Sequence, residues 1–217
     1  MLQKEKFILS YSGGKDSLLA CFRAVQNGGR PIGAVTTFDR ENACSWFHHL
    51  PETLLKSVSQ SLGFPIRIID TTAEHYVTDF ENALKTFKLQ GGESVVFGDI
   101  DIQEHYDWCD ERCRKTGLRS VFPLWHGDRR SIVDEMIEAG FQAVFTTIDA
   151  TKMPERFLGK TLTHEIVAQI ADEGIDPCGE NGEYHTFVYD GPLFRNKIEW
   201  TAGRPVKSGK YIRLPLT

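Results

Sequence analysis

From Phe7 to Ile148, short β-rich apolar runs alternate with segments whose apolar residues recur every three or four positions. Phe7-Ile-Leu-Ser-Tyr11 predicts a buried strand. Leu18, Leu19, Phe22 and Val25 follow at helical spacing, and Gly28-Gly29 supplies the stop. Ile32 to Phe38 predicts a second strand. Pro51 opens a helix carrying Leu54, Leu55, Val58 and Leu62, closed by Gly63. Pro65 to Ile69 is the third strand, and a helix with Tyr76, Val77, Phe80, Leu84 and Phe87 ends at Gly91-Gly92. Ser94 to Phe97 is the fourth strand, a polar helix runs from about Ile102 to Thr116, and Val121 to Leu124 makes a short fifth strand. Repeated strand–helix alternation predicts a Rossmann-like α/β fold: a parallel sheet with right-handed crossovers and helices on both faces.

The rhythm changes near Trp125. A helix around Asp128–Ala139 leads into an apolar run, Phe141 to Ile148, and a further helix spans about Leu162 to Asp172. After Gly174 come loop, strand and hairpin, with Tyr184–Tyr189, Lys197–Trp200 and Tyr211–Leu214 as strand candidates. These changes divide the chain into a nucleotide-binding domain, 1–125, and a smaller α+β substrate domain, 126–217. No Pro/Ser linker marks the boundary, so a broad interface is expected. No internal repeat is visible.

Composition narrows the class. A chain of 217 residues that is 41% hydrophobic is neither disordered nor low-complexity, and is long enough to bury a core without disulfide or metal. No apolar run approaches the roughly 18 residues of a membrane span, and Met1 to Lys6 lacks the apolar stretch of a leader, so a cytoplasmic protein is expected. Net charge is −5, which argues against a dedicated, stable nucleic-acid binder. The five cysteines are odd in number, scattered and without a CxxC, which argues against a secreted disulfide framework or a four-ligand zinc site. Cys109 and Cys113, four apart on one helix, are read as packing residues. Cys178 lacks the second thiol that a sulfur carrier would pair with it.

Ser12-Gly-Gly-Lys-Asp-Ser17 is the most informative stretch, because it follows the first strand and opens the first helix. Two glycines allow a sharp turn and bring main-chain N–H groups close to a ligand. The free N–H groups and positive end of the helix attract an anion. Ser12 and Ser17 add hydroxyl donors, and Lys15 adds a full charge. Asp16 beside phosphate is repulsive unless a metal or a capping role compensates. The stretch is not a Walker A loop, since only two residues separate Ser12 from Lys15, and G-x-G-x-x-G is absent. A mononucleotide at the carboxyl end of the sheet fits this setting better than a plain Gly-Gly turn.

A second motif, Gly179-Glu-Asn-Gly-Glu-Tyr-His-Thr-Phe-Val-Tyr-Asp-Gly-Pro192, places two carboxylates three apart before a strand. Glu180 and Glu183 are suited to bind magnesium, orient an amine or act as a general base. The bland reading is a polar turn before an edge strand. Three other places are candidates for ligand contact: His48-His49, after the second strand; Asp99 and Asp101, after the fourth; and Asp39 with Arg40, at the end of the second. Thr146, Thr147 and Asp149 end a strand near the boundary without a clear role.

Ser12–Ser17 resembles the PP-loop of the N-type ATP pyrophosphatases, which cleave ATP between its α and β phosphates. With G-E-x-G-E-Y-x-T downstream, most of the chain resembles the diphthine–ammonia ligase family. Cys44-Ser-Trp-Phe-His48 and Leu118 to Trp125 also fit. Enzymes of that family use ATP and ammonia to amidate the carboxylate of diphthine, a modified histidine on translation elongation factor 2. The resemblance implies ATP on Ser12, Gly13, Gly14, Lys15, Asp16, Ser17 and Gly98. It also implies magnesium bridging the phosphates beside Asp16, catalysis by Lys15, Asp16, Glu180 and Glu183, and acceptor contacts at His48, Asp99, Tyr184 and His185. The carboxylate is adenylated, AMP and pyrophosphate are released, and ammonia arrives free or from a partner. A homodimer is compatible with this reading.

Two departures bear on the acceptor. The family usually shows E-G-G-E-[FY]-E-T, whereas here Asn181 replaces the central glycine and His185 the last acid. The loop after the fourth strand reads Gly98-Asp-Ile-Asp-Ile-Gln103 in place of G-A-I-x-S-x-Y-Q. Such variants resemble a bacterial sister branch tied to cobalamin metabolism. The alternatives are therefore the same adenylation on a corrinoid-related or other small carboxylate, or an ATP-binding sensor without turnover.

Overall fold

The computed structural model describes residues 4–217; Met1–Gln3, part of the segment read above for leader character, lie outside the described residues. Strand β1 (Lys6–Ser10) leads into α1 (Lys15–Gln26), then β2 (Arg30–Asp39), a two-residue β3 (Cys44–Ser45) and α2 (Glu52–Leu62). Next come β4 (Ile66–Asp70), α3 (Tyr76–Leu89), β5 (Ser94–Val96), α4 (Gln103–Thr116) and β6 (Arg119–Val121). The C-terminal part holds α5 (Arg129–Glu138), β7 (Gln142–Asp149), α6 (His164–Asp172), β8 (Tyr184–Asp190), β9 (Val206–Ser208) and β10 (Tyr211–Arg213). No helix of the described residues is long and apolar enough to cross a membrane.

In the first sheet β4, β2, β1, β5 and β6 lie side by side and parallel. The chain moves outward from β1 through β2 to β4, then returns to lay β5 on the other side of β1. That reversal opens a crevice at the carboxyl ends of β1 and β5, where ligands collect in such sheets. Alternate β1 residues feed opposite faces: Phe7 and Leu9 join the core under α1 and α2, while Ile8 joins that of Phe80, Leu84, Phe87 and Cys113. Cys109 and Cys113 pack in this second core, and all five cysteines are free.

The second sheet, in order β8-β7-β10-β9, is antiparallel. Its apolar residues Phe145, Ile148 and Phe187 belong to the same core as Phe7 and Leu9, so the two sheets share one interior.

Three local readings change. The fifth strand lies at Arg119–Val121 rather than Val121–Leu124. Phe122 leaves the ladder to stack on Phe97 at 5.2 Å and Tyr106 at 4.4 Å, and Pro123 has no N–H to continue it. Lys197–Trp200 forms no strand; Ile198 makes one main-chain bond to Tyr189, at 2.7 Å, while Arg195 and Asn196 are held by Ser61. The short β3 lies outside the predicted strands, and β9 is the arm of the expected C-terminal hairpin that the spacing does not mark. The first of these matters for the site, because β3 pairs with the last residues of β2 and turns Trp46–Leu50 back over the loop that follows β1.

Candidate active site

The loop after β1 ends at Gly14, which caps α1, so the first N–H groups of the helix face the crevice. Both glycines sit close against side chains from the returned segment. At Gly13, where φ is +99°, a Cβ would lie 2.4 Å from Leu50 Cδ1; at Gly14 it would lie 2.3 Å from His48 Cε1. Hydroxyls line the turn. Ser12 Oγ accepts from the Gly14 amide at 3.3 Å, and Ser17 Oγ donates to the Gly14 carbonyl at 3.0 Å. The Lys15 amide donates to Thr186 Oγ1 on β8 at 3.2 Å.

Lys15 is buried, yet its charge is answered. Its ammonium donates to Asp16 Oδ2 at 2.9 Å and to the Cys178 carbonyl, and lies 5.2 Å from the centre of the Tyr184 ring. Burial works against the charge, but Asp16 and the other surrounding acids outweigh it and hold the pKa well above that of an ordinary lysine. Two of the three ammonium hydrogens are used here, which leaves one for a ligand. The Tyr184 hydroxyl donates to the Pro177 carbonyl.

Two cavities open on this loop, of about 380 and 190 Å³. Asp16, His48, His105, Glu180 and His185 line both and form their junction. The larger cavity runs along an aromatic wall in which Phe80 and Trp108 lie 5.4 Å apart and Tyr76 and Trp108 5.9 Å. It also touches Ser12, Ser17, Gly98 and Asp99, whereas Lys15 and Tyr184 line the smaller one. Gly98 has a steric reason to be glycine: a Cβ there would lie 2.7 Å from the backbone of Asp16 and Ser17. Asp99 pairs with His105 at 3.5 Å and raises its pKa.

The two carboxylates of the second motif diverge. Glu180 faces the junction, and burial, then Asp16, push its pKa to about 7. Glu183 is buried behind the loop and lines neither cavity; its carboxylate accepts from the Asn181 amide at 3.0 Å and the Asn181 side chain at 3.2 Å. His48 and His185 meet edge to face at 4.9 Å. His48 Nδ1 lies 2.7 Å from the Thr186 carbonyl, which only accepts, so Nδ1 carries the hydrogen and Nε2 keeps its lone pair. Burial holds His48 well below the ordinary histidine range and brings His185 to about 4, so both present neutral rings.

Other candidates lie away from the cavities. Asp39 closes its own turn by accepting from Glu41 and Asn42, and Arg40 pairs with Asp70. Asp149 is buried against Lys210 and Thr151. Sequence reasoning did not single out Thr186, His105 or the aromatic wall. Thr186 stood inside the second motif, but nothing local marks it as the acceptor for an amide 171 positions away.

Among the described residues, no group of three or more His, Cys, Asp or Glu side chains could hold a metal ion by itself. Magnesium commonly binds through one or two carboxylates plus substrate phosphates, so a ready-made protein cage is not needed. Asp16 fits that role, because its buried Oδ1 has no hydrogen-bond partner.

Residues 5–120 match the diphthamide synthase N-terminal domain, and residues 128–210 its C-terminal domain. The diphthine–ammonia ligase of Homo sapiens is 34% identical over 212 residues, covering 86% of this chain and 79% of that one. That of Danio rerio is 26% identical over 214 residues, covering 86% and 83%. By the two domain matches and by these relatives, the chain belongs to the diphthamide synthase family.

Proposed function

We propose that the chain is an ATP-dependent, AMP-forming amide ligase that adenylates a carboxylate and passes it to ammonia. The observation that carries this reading is the junction itself: the loop at the start of α1, the charge of Lys15 and the Glu180 carboxylate face one space. The pyrophosphate end of ATP lies on the amides of Gly13, Asp16 and Ser17 and the third hydrogen of Lys15, the Gly14 and Lys15 amides being taken by Ser12 and Thr186. The nucleoside lies along Tyr76, Phe80 and Trp108. An acceptor carboxylate oxygen attacks the α-phosphorus, and pyrophosphate leaves. Ammonia then attacks the acyl carbon, the bond to the AMP oxygen breaks, and the nitrogen gives up a proton as the amide forms. Asp16 would hold magnesium, which when bound neutralises phosphate charge. The chain's own residues supply orientation and charge neutralisation, the main resources for such chemistry. Glu183 acts through Asn181, keeping the loop of Glu180 in shape.

The acceptor is the diphthine carboxylate of elongation factor 2, by kinship with the ligases. A corrinoid-related carboxylate is the second reading, favoured by the neutral His185 at the junction, where the family usually has an acid. A sensor without turnover would have no use for Glu180 at this point. The test is a turnover reaction with ATP, magnesium chloride, ammonium chloride and each acceptor, with nucleotide products separated. AMP with pyrophosphate is expected; ADP with phosphate would overturn the reading.

A further inference from the structure

We propose that Arg129 is a positioning residue whose guanidinium clamps the Glu180 loop to the segment leaving β5, and so sets where Glu180 stands over the phosphate loop. The inference rests on the ligase reading for the role of Glu180, but the clamp is independent of it.

Three segments meet on this one side chain. Nε and Nη2 of Arg129, the first residue of α5, each donate to Asp101 at 2.8 Å. Nη1 donates to Asp176 and reaches Asn181 Oδ1 at 3.4 Å. Asp101 belongs to the stretch that holds Gly98 and Asp99 at the cavity. Asp176 carries the rest of the connection: its Oδ2 accepts from the Glu180 amide at 3.1 Å and its Oδ1 from the Cys178 amide at 2.9 Å. The Arg129 carbonyl also accepts from the Cys178 thiol at 2.9 Å.

The Glu180 side chain makes no hydrogen bond of its own among the described residues, so its place is inherited from its backbone. Asp176 holds that backbone, and Arg129 holds Asp176. Lys15 and Lys152 also touch the loop, through the carbonyls of Cys178 and Asn181, but neither ties it to the β5 exit. Only a planar fork with five donors meets two carboxylates at once in this way; a lysine ammonium is a point charge. Asp176 is 7% exposed and Arg129 27%, so this pair is screened less than an ordinary surface ion pair, while the Asp101 pair is the more exposed of the two. Asn181, which stands where the family usually has glycine, adds a contact to this network that glycine lacks.

The experiment compares wild type with Arg129→Ala, Arg129→Lys and Asp101→Asn. Amide hydrogen exchange at Glu180 and Asn181 is read without ligands, and AMP formation is read with ATP, ammonium chloride and the accepted carboxylate. Faster exchange is expected in all three variants. The kcat should fall by about 10²-fold in Arg129→Ala, the scale on which a ~1 Å misplacement acts, with the KM for ATP nearly unchanged. Arg129→Lys should not restore it. Normal exchange and normal kcat in Arg129→Ala would overturn the proposal. So would a parallel loss of ATP binding and thermal stability in both Arg129→Lys and Asp101→Asn, which would make the cluster merely structural. If wild type releases ADP, the ligase reading fails, while hydrogen exchange still decides the clamp.

Discussion

Thr186 Oγ1 accepts the amide hydrogen of Lys15 at 3.2 Å, so a residue of the second sheet closes the first turn of α1. Two further bonds flank it. The Val188 amide donates to the Gly13 carbonyl at 3.2 Å, and His48 donates to the Thr186 carbonyl. The loop of residues 12–17 is therefore built jointly by both sheets, and β8 brings Tyr184 and His185 to it.

That relationship predicts the effect of Thr186→Val. The shape is nearly kept, but the buried Lys15 amide loses its partner, which costs about 1–3 kcal/mol. Thr186→Ser should recover most of this. Urea denaturation without nucleotide measures both; equal stability of Val and wild type would show that the bond contributes nothing.

Gly98→Ala pushes a methyl group against main-chain atoms that cannot turn away. A loss of about 1–3 kcal/mol is expected for such overpacking, together with weaker ATP binding because the displaced atoms belong to Asp16 and Ser17. Thermal unfolding and an ATP titration check the two effects. Unchanged ATP affinity would separate Gly98 from the nucleotide.

Glu180 makes stability depend on pH. Its folded pKa, about 7, lies above the ordinary 4.5, so the folded state holds a proton that the unfolded state has released. Stability from this group is present below 4.5 and is lost as pH rises through about 7. Glu180→Gln should therefore unfold at a higher temperature than wild type near pH ~8, with the gap closing near pH ~4. Its turnover should fall by about 10²-fold. Parallel melting curves at both pH values would refute the titration argument.

Lys15→Ala and Asp16→Ala should abolish turnover while keeping a folded apo protein, since both side chains stand on the open first turn of α1 and line the cavities rather than the apolar core. Circular dichroism and an AMP assay decide it; an unfolded Asp16→Ala would mark that side chain as structural.

His185→Glu should leave ATP affinity nearly unchanged and alter acceptor preference, because it places a charge at the junction where wild type has a neutral ring. AMP release with diphthine-bearing elongation factor and with corrinoid-type carboxylates is the measurement. An identical preference in both proteins would remove His185 from acceptor choice.

What could be read from the chain alone were the features set within a few residues. Apolar spacing marks β1, α1 and most later elements, because a strand or helix must bury one face or both. The place of residues 12–17 between strand and helix could be read too, because it is local, and their glycines, hydroxyls and lysine are what make an anion site the expectation there. Other features depend on segments distant in sequence. Phe122 leaves its strand because Phe97 and Tyr106 are there to receive it. Glu183 turns from the cavity while Glu180 faces it, although both read alike as carboxylates before a strand. Arg129 meets Asp101 and Asp176 across gaps of 28 and 47 residues. No spacing rule reports such meetings; they exist only once a shared core has brought the two sheets together, and that packing decides which polar side chain faces the cavities and which one turns away.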